Sequence, residues 1–262
     1  MLLDDIIETG KFVIHDVEFA TVDKNWSSIV SFYPYYRLYY ITDSDAVLVL
    51  REKELPLLAG NLYFIPSFQV TDGRCNHLSH YYLHFSPELT VNNIIEYYKP
   101  TECVKADGSE AMLFETMIDA KKKDTPWSKL ALHSAFKLIL SRFFNSKDTN
   151  KKNILRFMPT LEYIESNIRR KITLPQLAAT LNLEQVYFAN IFKQSFQISP
   201  LQYVIGKKID LARVMLATGN LSIKEIAFAL GFDNELYFSR LFKQKTSFTP
   251  SYYRKNAEKL RT

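Results

Sequence analysis

Glu235, Leu236, Ser239, Arg240 and Lys243 fall on one side of a helix when their spacing is wound at 3.6 residues per turn. These residue types can meet base pairs and phosphates. Arginine, here Arg240, can take guanine O6 and N7 together, worth roughly 1–3 kcal/mol of discrimination, and Glu235 can accept from a cytosine amine. A second set lies upstream, on a helix expected over about 184–195: Val186, Ala189, Asn190 and Lys193. Asn190 can pair with an adenine edge, and Val186 or Ala189 can touch a thymine methyl. Lys207, Lys208, Arg213, Lys224 and Lys245 read as phosphate or solvent contacts, which position a protein without reading sequence.

Such side chains work only if their helices are held outward. Ser222 and Glu225 form a capping box ahead of a short helix whose apolar face is Ile226, Ala227 and Leu230. Gly231 stops that helix, and Asp233 is expected to cap the next. On that second helix Tyr237, Phe238, Leu241 and Phe242 are expected to face inward. Short helix, glycine turn and second helix with a basic outer face make a helix-turn-helix pattern, placed at about 222–245.

The pattern occurs twice. Thr173, Leu177, Ala178 and Leu183 match Ser222, Ile226, Ala227 and Phe232 at an offset of 49, while Tyr187, Phe188, Phe192, Lys193, Pro200 and Tyr203 match Tyr237, Phe238, Phe242, Lys243, Pro250 and Tyr253 at an offset of 50. The first copy is placed at about 173–196, with Thr173 and Gln176 as its capping box. Repetition of caps, core and turn marks a duplicated unit. Between the copies, a helix from Pro200 to about Thr218 is expected to bury Leu201, Ile205, Ile209, Ala212 and Leu216, and Gly219 ends it. A continuous helix there would set both reading helices into successive major-groove segments about 34 Å apart.

Both copies resemble the paired helix-turn-helix module of the AraC/XylS family of bacterial transcription regulators. The residues carrying the match are Ile226-Ala227, Gly231-Phe232, Tyr237-Phe238-Ser239-Arg240, Phe242-Lys243, Thr249-Pro250 and Tyr253-Arg254. The match covers about the last hundred residues. Asn182 stands where the family often has its turn glycine, and Gln197 and Ser247 stand where a glycine precedes the Ser/Thr-Pro pair. The resemblance implies a sequence-specific regulator that binds double-stranded promoter DNA. It also implies a small-molecule effector, a homodimer and RNA polymerase as a further candidate partner.

The remainder differs in kind. Residues 155–262 hold sixteen Lys and Arg against eight Asp and Glu, a net +8, while the rest holds seventeen against twenty, a net −3. A basic half joined to a mildly acidic one suits a DNA-binding module attached to another domain. Residues 1–108 read as β-rich, with KFVIHDVEFATV, RLYYITDSDAVLVL, LPLLAGNLYFIPS and SHYYLHFS as strand-like runs. The expected fold class is α+β in two domains. The N-terminal one is an all-β barrel or sandwich, and the family resemblance implies a cupin-like jelly roll that receives a small molecule. Residues 109–144 read as two helices, EAMLFETMIDAKKKD and WSKLALHSAFKLILSRFFNS. The second has an apolar face of Leu130, His133, Ala135, Phe136, Ile139, Leu140 and Phe143 that could pack on its own barrel or form a dimer interface. Residues 145–153 read as a linker, and 154–262 as the DNA-binding domain, opening on a helix FMPTLEYIESNI.

His80, His84 and Tyr82 are the candidate ligand contacts. His80 and His84 share one face of a strand and His77 does not. The run Phe32, Tyr33, Tyr35, Tyr36, Tyr39 and Tyr40 could line a pocket or simply pack. NHLSHYYLHF lacks the His-x-His and carboxylate by which metal-binding cupins resemble one another, so no metal or cofactor is expected. Cys75 and Cys103 have no CxxC spacing, which suits a reduced cytoplasmic protein. No apolar run approaches the roughly 18 residues of a membrane span, and no signal peptide is expected. No catalytic residues are assigned. The rival readings are a cupin-type metalloenzyme, a DNA-repair methyl acceptor and a dimerisation-only domain fused to a DNA-binding module.

Overall fold

The structure, a computed structural model, describes residues 11–24, 26, 35–50, 53–87, 95, 100–144 and 151–258. Among these the chain forms two compact units, residues 11–144 and residues 151–258. Residues 145–150 of the expected linker lie outside the described residues, and 151–153 already belong to a helix.

The first unit holds eight described strands: β1 (Phe12–Asp23), β2 (Tyr36–Ser44), β3 (Val47–Leu50), β4 (Glu54–Pro56), β5 (Asn61–Ile65), β6 (Val70–Arg74), β7 (His77–Pro87) and β8 (Cys103–Lys105). They form two antiparallel sheets, ordered β1-β7-β2-β5-β8 and β4-β3-β6. Of the barrel and sandwich forms expected, the described strands take the sandwich, open at its edges. Tyr39 and Ile41 of β2, Tyr63 and Ile65 of β5 and Leu78 of β7 pack with Leu48, Leu50, Leu55 and Val70 of the smaller sheet in one buried cluster. The period of two that places those side chains inward turns their neighbours outward. There two helices, α1 (Glu110–Lys123) and α2 (Pro126–Ser141), cover the larger sheet. Phe136 packs on Phe85 at 4.9 Å, Phe143 on Phe64 at 5.8 Å and Phe114 on Tyr81 at 5.5 Å between ring centroids. Leu130 is exposed, and Leu132 takes its expected place in the buried face. The helix pair is tied at one end by Glu110, fully buried, which bonds Arg142 and accepts from the backbone N–H of Asp107 and Gly108 at 3.0 and 2.9 Å.

The second unit is all helical: α3 (Lys151–Asn167), α4 (Leu174–Ala179), α5 (Gln185–Phe196), α6 (Pro200–Thr218), α7 (Ile223–Ala229), α8 (Glu235–Thr246) and α9 (Pro250–Glu258). Phe157 of α3 packs on Phe188, Phe192 and Phe196 of α5, with Phe192 edge-on to Tyr203 of α6 at 5.6 Å. Fifty residues on, Phe242 meets Tyr253 edge-on at 5.4 Å. The repeat is therefore a repeat of packing as well as of sequence. Among the described residues no helix is long and apolar enough to cross a membrane.

Candidate nucleic-acid interface and a second polar site

Each helix-turn-helix unit is built by local rules. Gln176 reaches back to the Thr173 N–H at 2.8 Å, and Glu225 to the Ser222 N–H at 2.7 Å, so both capping boxes close. The turns need a left-handed residue. Gly231 supplies it at φ +68° and Asn182 at φ +51°. Gln197 and Ser247, which replace the glycines usual in the family, sit left-handed too, at +61° and +69°.

The second helices of the two units are capped alike. Glu184 accepts from the N–H of Val186 and Tyr187 at 2.8 and 3.1 Å, and Asn234 from those of Leu236 and Tyr237 at 2.7 and 3.1 Å. The cap of α8 is thus Asn234, not Asp233. Asn234 is the residue aligned with Glu184, and Asp233 is the extra residue of the second copy. Phe188, Phe192, Phe238 and Phe242 are fully buried, and they fix which sides of α5 and α8 face outward.

Those sides carry the expected residues in matched pairs fifty positions apart. Val186 and Leu236 are 65% and 79% exposed. Asn190 and Arg240, and Lys193 and Lys243, are exposed, while Ala189 and Ser239 are half-buried at the helix flank, as is Glu235. One copy offers an amide where the other offers a guanidinium, so the two faces suit different base pairs.

Tyr237 was expected inside and is outside, as is Tyr187. Tyr237 points about 100° away from Phe238, toward the flank of the helix that carries Arg240. The Arg240 guanidinium lies 5.5 Å from the Tyr237 ring centroid, and that of Arg156 lies 6.0 Å from Tyr187. Phenol and guanidinium are both phosphate donors, so these tyrosines join the candidate interface. Their recurrence fifty residues apart is the signal that could have found them.

Three cations expected at phosphate or solvent are instead buried on α6: Lys207, Lys208 and Arg213. Lys207 Nζ lies 5.3 Å from the Tyr203 ring, and Arg213 bonds Asp210 at 3.2 Å. Lys224 and Lys245 are exposed, as expected. The buried stripe of α6 differs accordingly: Tyr203 and Val204 join Ile209, Ala212 and Leu216, while Leu201 is exposed and Ile205 half-buried.

The first unit holds a separate polar row. His80, Tyr82 and His84 of β7 face the sandwich interior, as their spacing requires. His84 pairs in register with Asp16 of β1 and with Arg37 of β2. His77, on the other face, meets Asp43 at 3.1 Å. Of the aromatic run, Phe32 and Tyr33 lie outside the described residues. Tyr36 packs on Phe64 and Phe85, and Tyr40 stacks on Tyr81, both away from the row. Tyr35 stacks on His84 at 4.6 Å, and Tyr39 meets His80 at 4.9 Å.

Arg37 was not weighed as a site residue, yet it is 1% exposed and its Nη1 has no hydrogen-bond partner. Its guanidinium lies 5.3 Å from the Tyr35 ring. The nearby carboxylate is already engaged: Asp16 accepts from Tyr82 Oη at 3.0 Å and from Lys121 Nζ at 2.8 Å. Burial would raise the Asp16 carboxyl, but those bonds hold it below its ordinary value. Burial pushes His80 down to about 4, and burial with the Arg37 charge pushes His84 down to about 3. Both imidazoles are therefore neutral, and His80 Nδ1 has no partner. A buried guanidinium beside neutral rings is a site that attracts an anion. Among the described residues no group of three or more His, Cys, Asp or Glu side chains is placed to hold a metal ion.

A helix-turn-helix domain family matches residues 177–256. YdiP, an uncharacterized HTH-type transcriptional regulator of Escherichia coli (strain K12), is 34% identical over 105 residues, which cover 40% of this chain and 34% of that protein. The Msm operon regulatory protein of Streptococcus mutans serotype c is 24% identical over 242 residues, covering 85% of each. ToxT from Vibrio cholerae O395, solved with (E)-4-(8-methylnaphthalen-1-yl)but-3-enoic acid bound, shares the fold with a TM-score of 0.54 at 14% identity, over 94% of this chain and 99% of that one. The chain spans half or less of the length of the curated relatives YdiP, LumQ and RafR. The matched region contains α5, α8 and the helix between them, and it makes the C-terminal part of the chain a helix-turn-helix domain similar to those of bacterial transcriptional regulators.

Proposed function

We propose that the chain is a sequence-specific transcription regulator that reads promoter DNA with α5 and α8. The observation that carries this reading is the pairing of exposed side chains: Val186 with Leu236, Asn190 with Arg240, Lys193 with Lys243. The α6 helix, 19 residues and about 28 Å long at 1.5 Å per residue, suits two reading helices one DNA turn apart. The test is selection of bound sequences from a random duplex library with the full chain. An asymmetric motif with two blocks about one helical turn apart is expected. Arg240→Ala should lower affinity by roughly 1–3 kcal/mol and relax preference at one base pair. Unchanged specificity in that variant would remove α8 from the reading surface.

We also propose that the first unit holds a small-molecule effector against Arg37, His80, Tyr82 and His84. The buried Arg37 guanidinium supports an anionic ligand, and the carboxylic acid bound to ToxT accords with that choice. Arg37→Met keeps the volume and removes the charge, so the variant should melt no lower than the parent. A panel of aliphatic and aromatic monocarboxylates should raise the melting temperature of the parent and leave Arg37→Met unmoved. Equal shifts in both proteins would exclude Arg37 as the anchor. Homodimerisation is proposed through α1 and α2, where Met112, Trp127, Leu130 and Leu138 stand exposed.

A further inference from the structure

The two helix-turn-helix units touch each other directly, not only through α6. Lys208 of α6 is 5% exposed. Its Nζ donates to the Arg170 carbonyl at 2.7 Å, in the loop that leads into the first unit, and to the Leu230 carbonyl at 2.6 Å, in the turn of the second. Gly231 lies flat against the same loop: a Cβ added there would stand 2.6 Å from the Arg170 carbonyl carbon and 2.8 Å from the Lys171 nitrogen. Lys171 Nζ reaches Asp233 Oδ2 at 2.5 Å. Lys208 Nζ also lies 5.3 Å from the Phe232 ring centroid.

These features are not part of the repeat. Pro159 stands forty-nine positions before Lys208, the offset that holds ahead of the turn, and Asn182 stands where the second copy has Gly231. Asp233 is the one residue by which the second copy is longer. All three departures from the repeat converge on the Arg170–Lys171 peptide. They add a direct tie between two units that α6 also packs against, through Tyr203 on Phe192 in the first and through its contacts with α7 and α8 in the second.

We propose that Lys208 is a positioning residue for DNA reading, which fixes the distance and angle between α5 and α8 and so the spacing between the two blocks of bases they contact. This rests on the DNA-reading assignment above. An ammonium buried on α6 and shared between two carbonyls is withdrawn from phosphate, so its contribution to binding is geometric. Burial also pushes it down to about 8, as expected for a cation removed from water.

The test compares the full-length parent, Lys208→Met and Lys208→Arg in duplex selection and in salt titration of the best duplex. The parent should select two blocks at one spacing. Lys208→Met should keep both blocks but accept spacings one base pair shorter and longer, with about tenfold weaker binding to the parental spacing and an unchanged salt slope. Lys208→Arg, which can bridge both carbonyls, should restore the single spacing. A Lys208→Met protein that keeps the parental spacing preference overturns the proposal. So does a salt slope reduced by about one, because that identifies a phosphate contact. If circular dichroism shows Lys208→Met unfolded, Asp233→Ala carries the test, because it removes the exposed Lys171 link and the charge that favours the Lys208 ammonium while leaving Lys208 in place. It should loosen the spacing in the same way to a smaller degree, and unchanged spacing then overturns the proposal. A parent that selects no motif overturns the DNA-reading assignment itself, and the positioning role with it.

Discussion

Gly231→Ala lowers the stability of the C-terminal domain by about 3 kcal/mol, measured as the shift of the denaturant midpoint of helical circular dichroism. Two costs add. A residue with a Cβ at φ +68° costs roughly 1–2 kcal/mol. The new methyl must also enter a space where the nearest backbone atoms stand at 2.6, 2.8 and 2.9 Å, all from Arg170 and Lys171. Those are main-chain atoms and cannot swing aside as a side chain would, so overpacking costs roughly another 1–3 kcal/mol. The first copy provides the control. Asn182 holds the matching turn at φ +51°, so Asn182→Ala carries the conformational cost alone, about 1 kcal/mol. If the two alanine variants are equally unstable, the contact with Arg170–Lys171 contributes nothing and the junction is looser than its geometry.

Local chemistry made the C-terminal domain legible. Caps, turn residues and a 3.6-residue period act within a few positions of each other, so Ser222–Glu225, Gly231 and the Phe188 and Phe238 cores can be read from neighbours in the chain. Two positions there escape local rules, for different reasons. Lys208 lies four residues before Ala212 and eight before Leu216, on the buried stripe, but the carbonyls that satisfy it are 38 and 22 residues away, so a lysine there reads as solvent-facing. Asp233 was given the cap that belongs to Asn234, because either residue can cap and only the register of the repeat decides. In the sandwich, β1, β2 and β7 are legible as short runs rich in Val, Ile, Phe and Tyr, broken by Asp, Ser, Gly and Pro. β6, Val-Thr-Asp-Gly-Arg, looks like a turn, and its Gly73 packs against the Trp26 ring, with Cβ space of only 3.0 Å. Arg37 lies in a run of tyrosines and resembles any solvated strand residue. Only the register of β2 against β7 puts it beside His84 inside the sandwich.

Acidification from pH 7.5 to pH 5 lowers the stability of the N-terminal sandwich by about 4 kcal/mol. The unfolded chain binds protons on His80 and His84 near the ordinary value of 6.5, whereas the folded chain refuses them until about 4 and about 3. A base whose folded value is depressed contributes stability that is fully present above 6.5 and is lost as the pH falls below it. At pH 5 each histidine forfeits the 1.5 units between 6.5 and 5, about 2 kcal/mol at 1.36 kcal/mol per unit. The sum is a large part of the 5–15 kcal/mol that holds a typical domain. Burial gives the effect its sign: Tyr39, Tyr82 and Trp26 surround His80 without a charge, and on the buried His84 Arg37, His15 and His80 further oppose a proton while Asp16 favours one. His80→Leu and His84→Gln should each flatten the melting temperature against pH, and a parent whose melting temperature holds between pH 7.5 and 5 would refute the assignment. Because Arg37 repels the His84 proton, an anion seated on Arg37 must raise the His84 value.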